Sequence, residues 1–212
     1  LLFSLATPHS VDVGKDAYSG GMKNGNNTGI WLIGIGSAVD ALAAVREFVY
    51  VRKVVSLAEL GKILAVDWTG HDNLRRRIQR STCKWGNNDS VANGLASELV
   101  KHLAGRINGR PNGRGGRLKA FGHTARWHYI FGTDPGATPD GRKRGEELSK
   151  NVSPTMGADI EGATALVGSA SKIDALDLPG DFPLDVALLP STASGEKGLL
   201  MMRCLIEEYF GS

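Results

Sequence analysis

The sequence predicts a mixed α/β fold, and three observations carry that prediction. Apolar residues recur at helical spacing in several stretches, as in Ala38, Val39, Ala41, Leu42, Val45, Phe48 and Val49, the pattern of helices with one buried face. Near the C-terminal end Phe182, Leu184, Val186 and Leu188 alternate with Pro183, Asp185, Ala187 and Leu189, which predicts a strand. Glycine fills 28 of the 212 positions, well above a usual ~7%, so many tight turns and close backbone approaches join the elements.

Residues 1–30 are rich in Gly, Asn and Ser, with Gly20-Gly21 and Asn24-Gly25-Asn26-Asn27 as turn signals, and are expected to be irregular. A short apolar run, Ile30 to Ile35, leads into Gly34-Ile35-Gly36-Ser37 and then a helix, with Ser37 as N-cap and Asp40 as its acidic partner. Ser56-Leu57-Ala58-Glu59 has the form of a capping box ahead of Leu60, Ile63 and Leu64, so a second helix runs to about Trp68. Asp72 is placed to cap a short third helix through Ile78, and Val91, Leu95, Leu99 and Leu103 mark a fourth that ends near Gly105. Residues 108–117 contain only Asn, Gly, Arg and Pro and form a loop by composition. Leu118 to Phe131 is expected to be extended in part. Gly132 to Lys150 is a long polar segment with Pro135, Gly136, Pro139 and Gly141, of the length that functional loops have. A last helix over 195–210 follows the predicted strand, with Cys204 placed in its core stripe.

Composition narrows the function classes. Lys+Arg 25 against Asp+Glu 22 leaves a net charge of only +3, too little by itself to imply a nucleic-acid partner. No apolar run approaches the roughly 20 residues that span a bilayer. Two cysteines, Cys83 and Cys204, are too few for a disulfide framework and lack zinc spacing, which suits a reducing compartment. The chain reads as one domain over 1–212, without a second. It opens without an initiator Met and closes on an apolar helix, and is therefore expected to be a fragment.

Several constellations imitate chemistry. Gly34-x-Gly36 between an apolar run and a helix has two glycines of the dinucleotide fingerprint, but Val39 stands at the third, so a tight strand-to-helix turn is the preferred reading. Arg75, Arg76, Arg77 and Arg80, with Arg106, Arg110, Arg114 and Arg117 among glycines, could form an RNA-binding surface; no aromatic residue interleaves 106–117, so a solvated face is preferred and nucleic acid is not expected. His102, His123 and His128 have no ligand partner at helical spacing, and no metal is expected. No Gly-x-Ser-x-Gly elbow is present. Cys83 lies near Arg80 and Lys84, which could lower a thiol pKa, yet a buried or incidental thiol is preferred.

The most specific signals lie further along. Ala137-Thr138-Pro139-Asp140-Gly141-Arg142-Lys143-Arg144-Gly145 and Ser153-Pro154-Thr155-Met156-Gly157-Ala158-Asp159-Ile160-Glu161-Gly162-Ala163-Thr164-Ala165 resemble the glycyl radical enzymes of the pyruvate formate-lyase type. Gly36 to Val45 is similar to that family's G-x-x-x-x-D-S-L-A-A-I helix, with Ala41 replacing its usual Ser. Lys84-Trp85-Gly86-Asn87-Asn88-Asp89 resembles its K-Y-G-N-D-D turn, and Ser169-Ala170-Ser171-Lys172-Ile173-Asp174 its S-V-S-K-I-D segment. The motifs occur in family order over nearly the whole chain. Ser10-Val11-Asp12-Val13-Gly14-Lys15-Asp16 before Gly20-Gly21 resembles a C-x-E-x-G-x-D feature, with Ser10 in place of its cysteine. Glu147-Leu148-Ser149-Lys150 departs from the P-L-A-D common at that place.

The resemblance implies part of a ten-stranded α/β barrel ringed by helices, incomplete in this chain. It implies a lyase or dehydratase, or a formate acetyltransferase-like activity, in which a glycyl radical generates a thiyl radical that abstracts hydrogen from a small organic substrate. The catalytic cysteine would precede residue 1 and the radical glycine follow residue 212, so no catalytic residue is expected in this chain and no cofactor bound to it. Cys83, with no Glu at +2, is not assigned as the nucleophile. Ser153, Pro154 and Thr155 are the substrate-cavity candidates; Asp140, Gly141, Arg142, Gly157 and Asp159 form a structural loop motif, in which Asp140, Arg142 and Asp159 would pin the loop. The implied partners are a radical S-adenosylmethionine activating enzyme, a small-molecule substrate and a second copy in a homodimer, in an anaerobic cytoplasm without membrane attachment. The competing classes are a catalytically inactive remnant and a basic RNA-binding module on 106–117. An open barrel would also leave unpaired strand edges and apolar surface.

Overall fold

The first thirty residues are more ordered than their composition suggests in the computed structural model, which describes residues 2–23 and 25–211. Asn24 of the first Asn-Gly turn signal, with Leu1 and Ser212, lies outside the described residues. Helices α1 (Leu2–Leu5) and α2 (Pro8–Val13) form there. Pro8 fits the first turn of α2, where its missing N–H costs nothing, and Gly14 at φ +63° closes the helix. Asp16 then accepts from Tyr18 N to start a single 3₁₀ turn, Ala17–Ser19. These local caps overcame a composition that reads as loop.

Strand β1 (Thr28–Trp31) leads into α3 (Ile35–Ala44), whose backbone widens into a π-helical stretch at Val45–Val51 that turns Phe48 and Val49 inward. Ser37 does not cap α3. The cap is Gly34 at φ +82°, and Ile35 is already helical, so Ser37 and Asp40 lie one turn apart on a buried face and make tertiary bonds instead.

Helix α4 (Leu57–Ala65) starts at the expected capping box: Ser56 Oγ accepts from Glu59 N at 3.2 Å, and Glu59 Oε2 accepts from Ser56 N at 2.9 Å. Helix α5 (Asp72–Gln79) is preceded by His71 without a side-chain cap bond; Asp72 is therefore its first residue, not its cap. Helix α6 (Ser90–Ile107) is capped by Asp89, whose carboxylate accepts from Val91 N and Ala92 N. Strand β2 (Leu118–Phe121) runs parallel to β1, with Thr28 opposite Leu118 and Trp31 opposite Phe121. The expected extension beyond Phe121 gives way to α7 (Trp127–Gly132).

Helices α8 (Gly162–Ala170) and α9 (Gly195–Gly211) complete the order. The predicted strand at 182–189 does not form. Pro183 has no N–H for a ladder, and the backbone bonds made there are scattered: Val152 N donates to Pro183 O at 3.3 Å and, just before, Gly122 N to Asp181 O at 3.0 Å.

Two buried clusters hold these elements. One joins Ile35 and Val39 of α3, Ala92, Ala96 and Val100 of α6 and Ala120 of β2 around Trp85. The other gathers Phe48, Val49, Leu60, Ile63 and Ile78 around Trp68. Both indoles are fully buried, and each places its N–H on a loop carbonyl: Trp85 Nε1 donates to Val152 O at 2.7 Å and Trp68 Nε1 to Arg142 O at 3.3 Å. At ~25 cal/mol per Å², an indole of this size removes on the order of 5 kcal/mol of apolar exposure.

The outer surface is less finished. Leu199, Leu200, Ile206 and Phe210 of α9 and Tyr129, Ile130 and Phe131 of α7 are exposed. Among the described residues β1 and β2 pair only with each other. Cys204 is exposed on α9, contrary to its expected core position, because the stripe that carries it faces outward. No helix among the described residues is long and apolar enough to cross a membrane.

Candidate functional site

Segment 133–158 has no regular structure, yet it is firmly tied down. Arg142 is its hub: buried, it donates Nη1 to the carbonyls of Gly132, Lys143 and Glu146 at 3.0, 3.1 and 2.6 Å, and Nη2 to those of Pro135 and Gly136 at 3.2 and 2.7 Å. A planar fork with several donors suits such a task. Helix α5 fastens the same loop from outside: Arg75 Nε donates to Gly141 O at 2.7 Å, and its Nη2 pairs with Glu146 at 3.1 Å. Gly141 sits at φ +96°, where a Cβ would meet Gln79 Cγ at 2.7 Å; this position requires glycine. Asp140 is buried and accepts from Thr138 Oγ1 at 2.5 Å. Asp159 is exposed and makes no side-chain hydrogen bond among the described residues, so the pinning expected of three charged residues falls to Arg142 and Asp140.

The segment then docks on the start of α3. Ser37 N donates to Ser149 Oγ at 3.0 Å and Ser149 N to Ser37 Oγ at 2.8 Å, a reciprocal pair that uses an N–H otherwise left free at the helix start. Gly36 packs so tightly that a Cβ there would lie 2.6 Å from Ser153 O. The Gly34-x-Gly36 turn thus receives protein, not phosphate. Ser153 Oγ accepts from Asp185 N at 3.0 Å, Pro154 is buried against Gly86, and Thr155 is half-buried with Oγ1 3.5 Å from Ser37 Oγ.

Ser153, Pro154, Thr155, Asp140, Arg142, Gly157 and Asp159 all border one open cavity of about 730 Å³, shared with Lys84, His128, Lys150 and Asp185. Its size falls in the range of small-molecule sites. Gly141 lies outside that lining and acts through the turn alone. Lys150 Nζ pairs with Asp185 at 3.1 Å, and His128 Nε2 lies 3.9 Å from Glu147 Oε2. Behind the wall sits Asp40, 2% exposed, with Oδ1 accepting from Trp85 N at 2.8 Å and Oδ2 without a hydrogen-bond partner. Burial pushes its carboxyl up to about 6, opposed by the Lys84 charge and the Trp85 N–H.

Sequence reasoning placed Asp40 in a cap and Asp185 on a strand, and so missed both; only tertiary contact brings them here. Cys83 is half-buried, and burial, followed by its S–H donated to Asp89 Oδ1 at 3.3 Å, raises its thiol to about 12. Arg80 and Lys84 do not activate it. Ser10 is buried and donates to Gly21 O at 2.9 Å, a structural bond. Arg106, Arg110, Arg114 and Arg117 are exposed, and Arg117 spends Nη1 on Gly109 O at 2.6 Å. Among the described residues no three His, Cys, Asp or Glu side chains converge to hold a metal ion.

Residues 1–132 match the family model described as pyruvate formate lyase-like. The chain is 31% identical to trans-4-hydroxy-L-proline dehydratase of Clostridioides difficile over 209 residues, covering 99% of this chain and 26% of that protein. The crystal structure of that dehydratase with trans-4-hydroxy-L-proline bound superposes with a TM-score of 0.89, over 99% of this chain and 26% of that one. The B12-independent glycerol dehydratase of Clostridium butyricum, in its glycerol-bound form, is 30% identical with a TM-score of 0.86, covering 96% of this chain and 26% of that one. A glycyl radical enzyme from Archaeoglobus fulgidus is 31% identical with a TM-score of 0.86, again over 99% and 26%. The chain spans about a quarter of the length of these relatives. Its mixed helix and sheet therefore match part of their α/β barrel.

Proposed function

The chain belongs to the pyruvate formate lyase-like family, the glycyl radical enzymes, and from that membership we propose that it builds part of the substrate-cavity wall of a glycyl radical dehydratase or lyase. The observation that carries this reading is the cavity of about 730 Å³ bordered by Ser153, Pro154 and Thr155. A radical enzyme of this class needs a thiyl radical, made from a cysteine by a glycyl radical, and that chemistry would come from residues outside this chain. Cys83 does not fit the part: it does not border the cavity that Ser153, Pro154 and Thr155 line, and its S–H points to Asp89 instead.

What this chain's residues do follows from their placement. Arg142 and the Ser37–Ser149 pair hold the cavity loop rigid, so that a bound molecule meets a preformed surface and loses little to reorganisation. Thr155 offers a half-buried hydroxyl that can orient a hydroxyl, amine or carboxylate of a small polar substrate. Pro154 presents a fixed apolar surface beside it and limits water there. Charges of both signs in the lining, Lys84, Lys150, Asp159 and Asp185, favour a polar organic molecule over a hydrocarbon. With this activity go activation by a radical S-adenosylmethionine enzyme, work in an anaerobic cytoplasm and assembly as a homodimer.

The test is kinetic. In the full protein that carries this sequence, activated without oxygen and offered trans-4-hydroxy-L-proline, glycerol and 1,2-propanediol, Thr155→Val is expected to raise KM roughly tenfold for the compound turned over, the value of a lost hydrogen bond. Unchanged KM and turnover would remove Thr155 from the cavity wall.

A further inference from the structure

Two side chains of α3, Ser37 and Asp40, stand one turn apart on the face that backs the Ser153-Pro154-Thr155 loop. Ser37 is spent on the reciprocal bond with Ser149 and reaches Thr155 only at 3.5 Å. Asp40 is different. Oδ1 is held by Trp85 N at 2.8 Å, but Oδ2 is buried without a hydrogen bond, an arrangement that is costly unless a donor closes it or the acid is neutral. Thr155 comes onto this face from the loop, its Oγ1 3.5 Å from Ser37 Oγ one turn away, and its hydroxyl favours the charged form of Asp40 without a formed hydrogen bond.

We propose that Asp40 is a positioning residue for Thr155, its free oxygen deciding whether the Thr155 hydroxyl offers the cavity a lone pair or a proton. The proposal rests on Thr155 facing the substrate. When Asp40 is ionised, Thr155 donates its proton to Oδ2 and turns an oxygen lone pair to the cavity. When Asp40 is neutral, its own O–H donates to Thr155 Oγ1, and the threonine proton is freed toward the ligand. No bond is made or broken beyond the exchange of one proton with solvent.

The charged groups acting on Asp40 come from two segments, Lys84 beside Trp85 and Asp140 in the long loop, the first favouring the anion and the second opposing it. Helix α6 packs on α3 through Ala92, Ala96 and Val100, which carry no charge. Burial pushes the carboxyl up to about 6, so both forms exist in mildly acidic to neutral solution, and the polarity of Thr155 changes there.

The experiment is an isotope-edited infrared titration of the full protein carrying this sequence, labelled with ¹³C-carboxyl aspartate, with the Asp40 band assigned by its loss in Asp40→Asn. Thr155→Val removes the donor and is expected to move the Asp40 midpoint upward by at least about 0.5 pH unit, whereas Thr155→Ser restores it. A midpoint that stays in place in Thr155→Val, within about 0.1 unit, overturns the pairing. The second readout is KM against pH from 5 to 8. The wild type is expected to show a break near the Asp40 midpoint, and Asp40→Asn, which keeps an acceptor for Trp85 N and a fixed donor for Thr155, a flat profile. A break that persists in Asp40→Asn overturns the proposal. A shifted Asp40 midpoint with KM indifferent to Thr155→Val leaves the pairing standing and removes the substrate-facing role, so the two failures are distinguishable.

Discussion

Gly86→Ala places one methyl group where the chain has no room for it. Gly86 lies at φ +92°, a conformation that a Cβ disfavours by roughly 1–2 kcal/mol. The added carbon would also stand 2.2 Å from Pro154 Cγ and 3.1 Å from Pro154 Cβ, with Leu166 Cδ1 at 3.5 Å behind. Pro154 is buried and its ring cannot rotate aside, so relief to a normal carbon contact requires the loop to retreat by more than about 1 Å. Overpacking of this kind costs about 1–3 kcal/mol, and the sum is about 2–5 kcal/mol. The loop that retreats is Ser153-Pro154-Thr155, so the damage is local as well as global. Hydrogen–deuterium exchange of peptides covering 149–160 is expected to quicken in Gly86→Ala, with a lower midpoint of thermal unfolding. Gly94→Ala is the comparison: Gly94 lies inside α6 with nothing within 4 Å of the added carbon, and the change is expected to stabilise by about 0.5–1 kcal/mol. If Gly86→Ala unfolds at the wild-type midpoint with unchanged exchange at 149–160, the close approach of Gly86 to Pro154 is not what shapes the cavity wall.

Three further outcomes are expected. Asp40 has its carboxyl raised from 3.8 to about 6, so its contribution to stability is full below about pH 4 and is lost as pH rises through 6. Between pH 4 and 7 Asp40→Asn should gain about 3 kcal/mol relative to wild type in denaturant unfolding, and equal pH dependence of the two proteins would contradict the burial argument. Arg142→Met strands several loop carbonyls and is expected to cost about 3–5 kcal/mol, with Arg142→Lys recovering little because a single ammonium cannot span the five acceptors; full recovery by Lys in thermal unfolding would refute the hub role. Cys83, with a thiol near 12, has on the order of one thiolate in 10⁴ at pH 8, and should resist iodoacetamide until the protein is unfolded; alkylation of Cys83 at the rate of a free thiol in the native protein would count against its bond to Asp89.

What the sequence determined by itself was whatever neighbours in the chain decide. The Ser56–Glu59 box, the α6 periodicity, the Arg-Gly loop at 108–117 and the irregular 132–150 segment depend on residues within a turn or two of one another, and local hydrogen bonds and spacing are written in order along the chain. The motifs around Asp140 to Arg142 and Ser153 to Thr155 were legible because they are contiguous, and they carried the family with them.

The tertiary structure decided everything that rests on distance in the chain. Ser37 and Asp40 looked like a cap and its partner, but Gly34 takes the cap through its positive φ, which frees both side chains for Ser149 and Trp85, 112 and 45 residues away. The alternation at 182–189 promised a strand, yet a strand needs a partner with free N–H and C=O groups, and Pro183 and its neighbours meet only single bonds. Cys204 sits on an apolar stripe, and whether such a stripe is covered depends on what packs against it. Asp40 acquires its raised carboxyl and its unpaired oxygen solely from the burial that α3, Trp85 and the cavity loop impose together; desolvation is a property of the assembled fold, which no local pattern encodes.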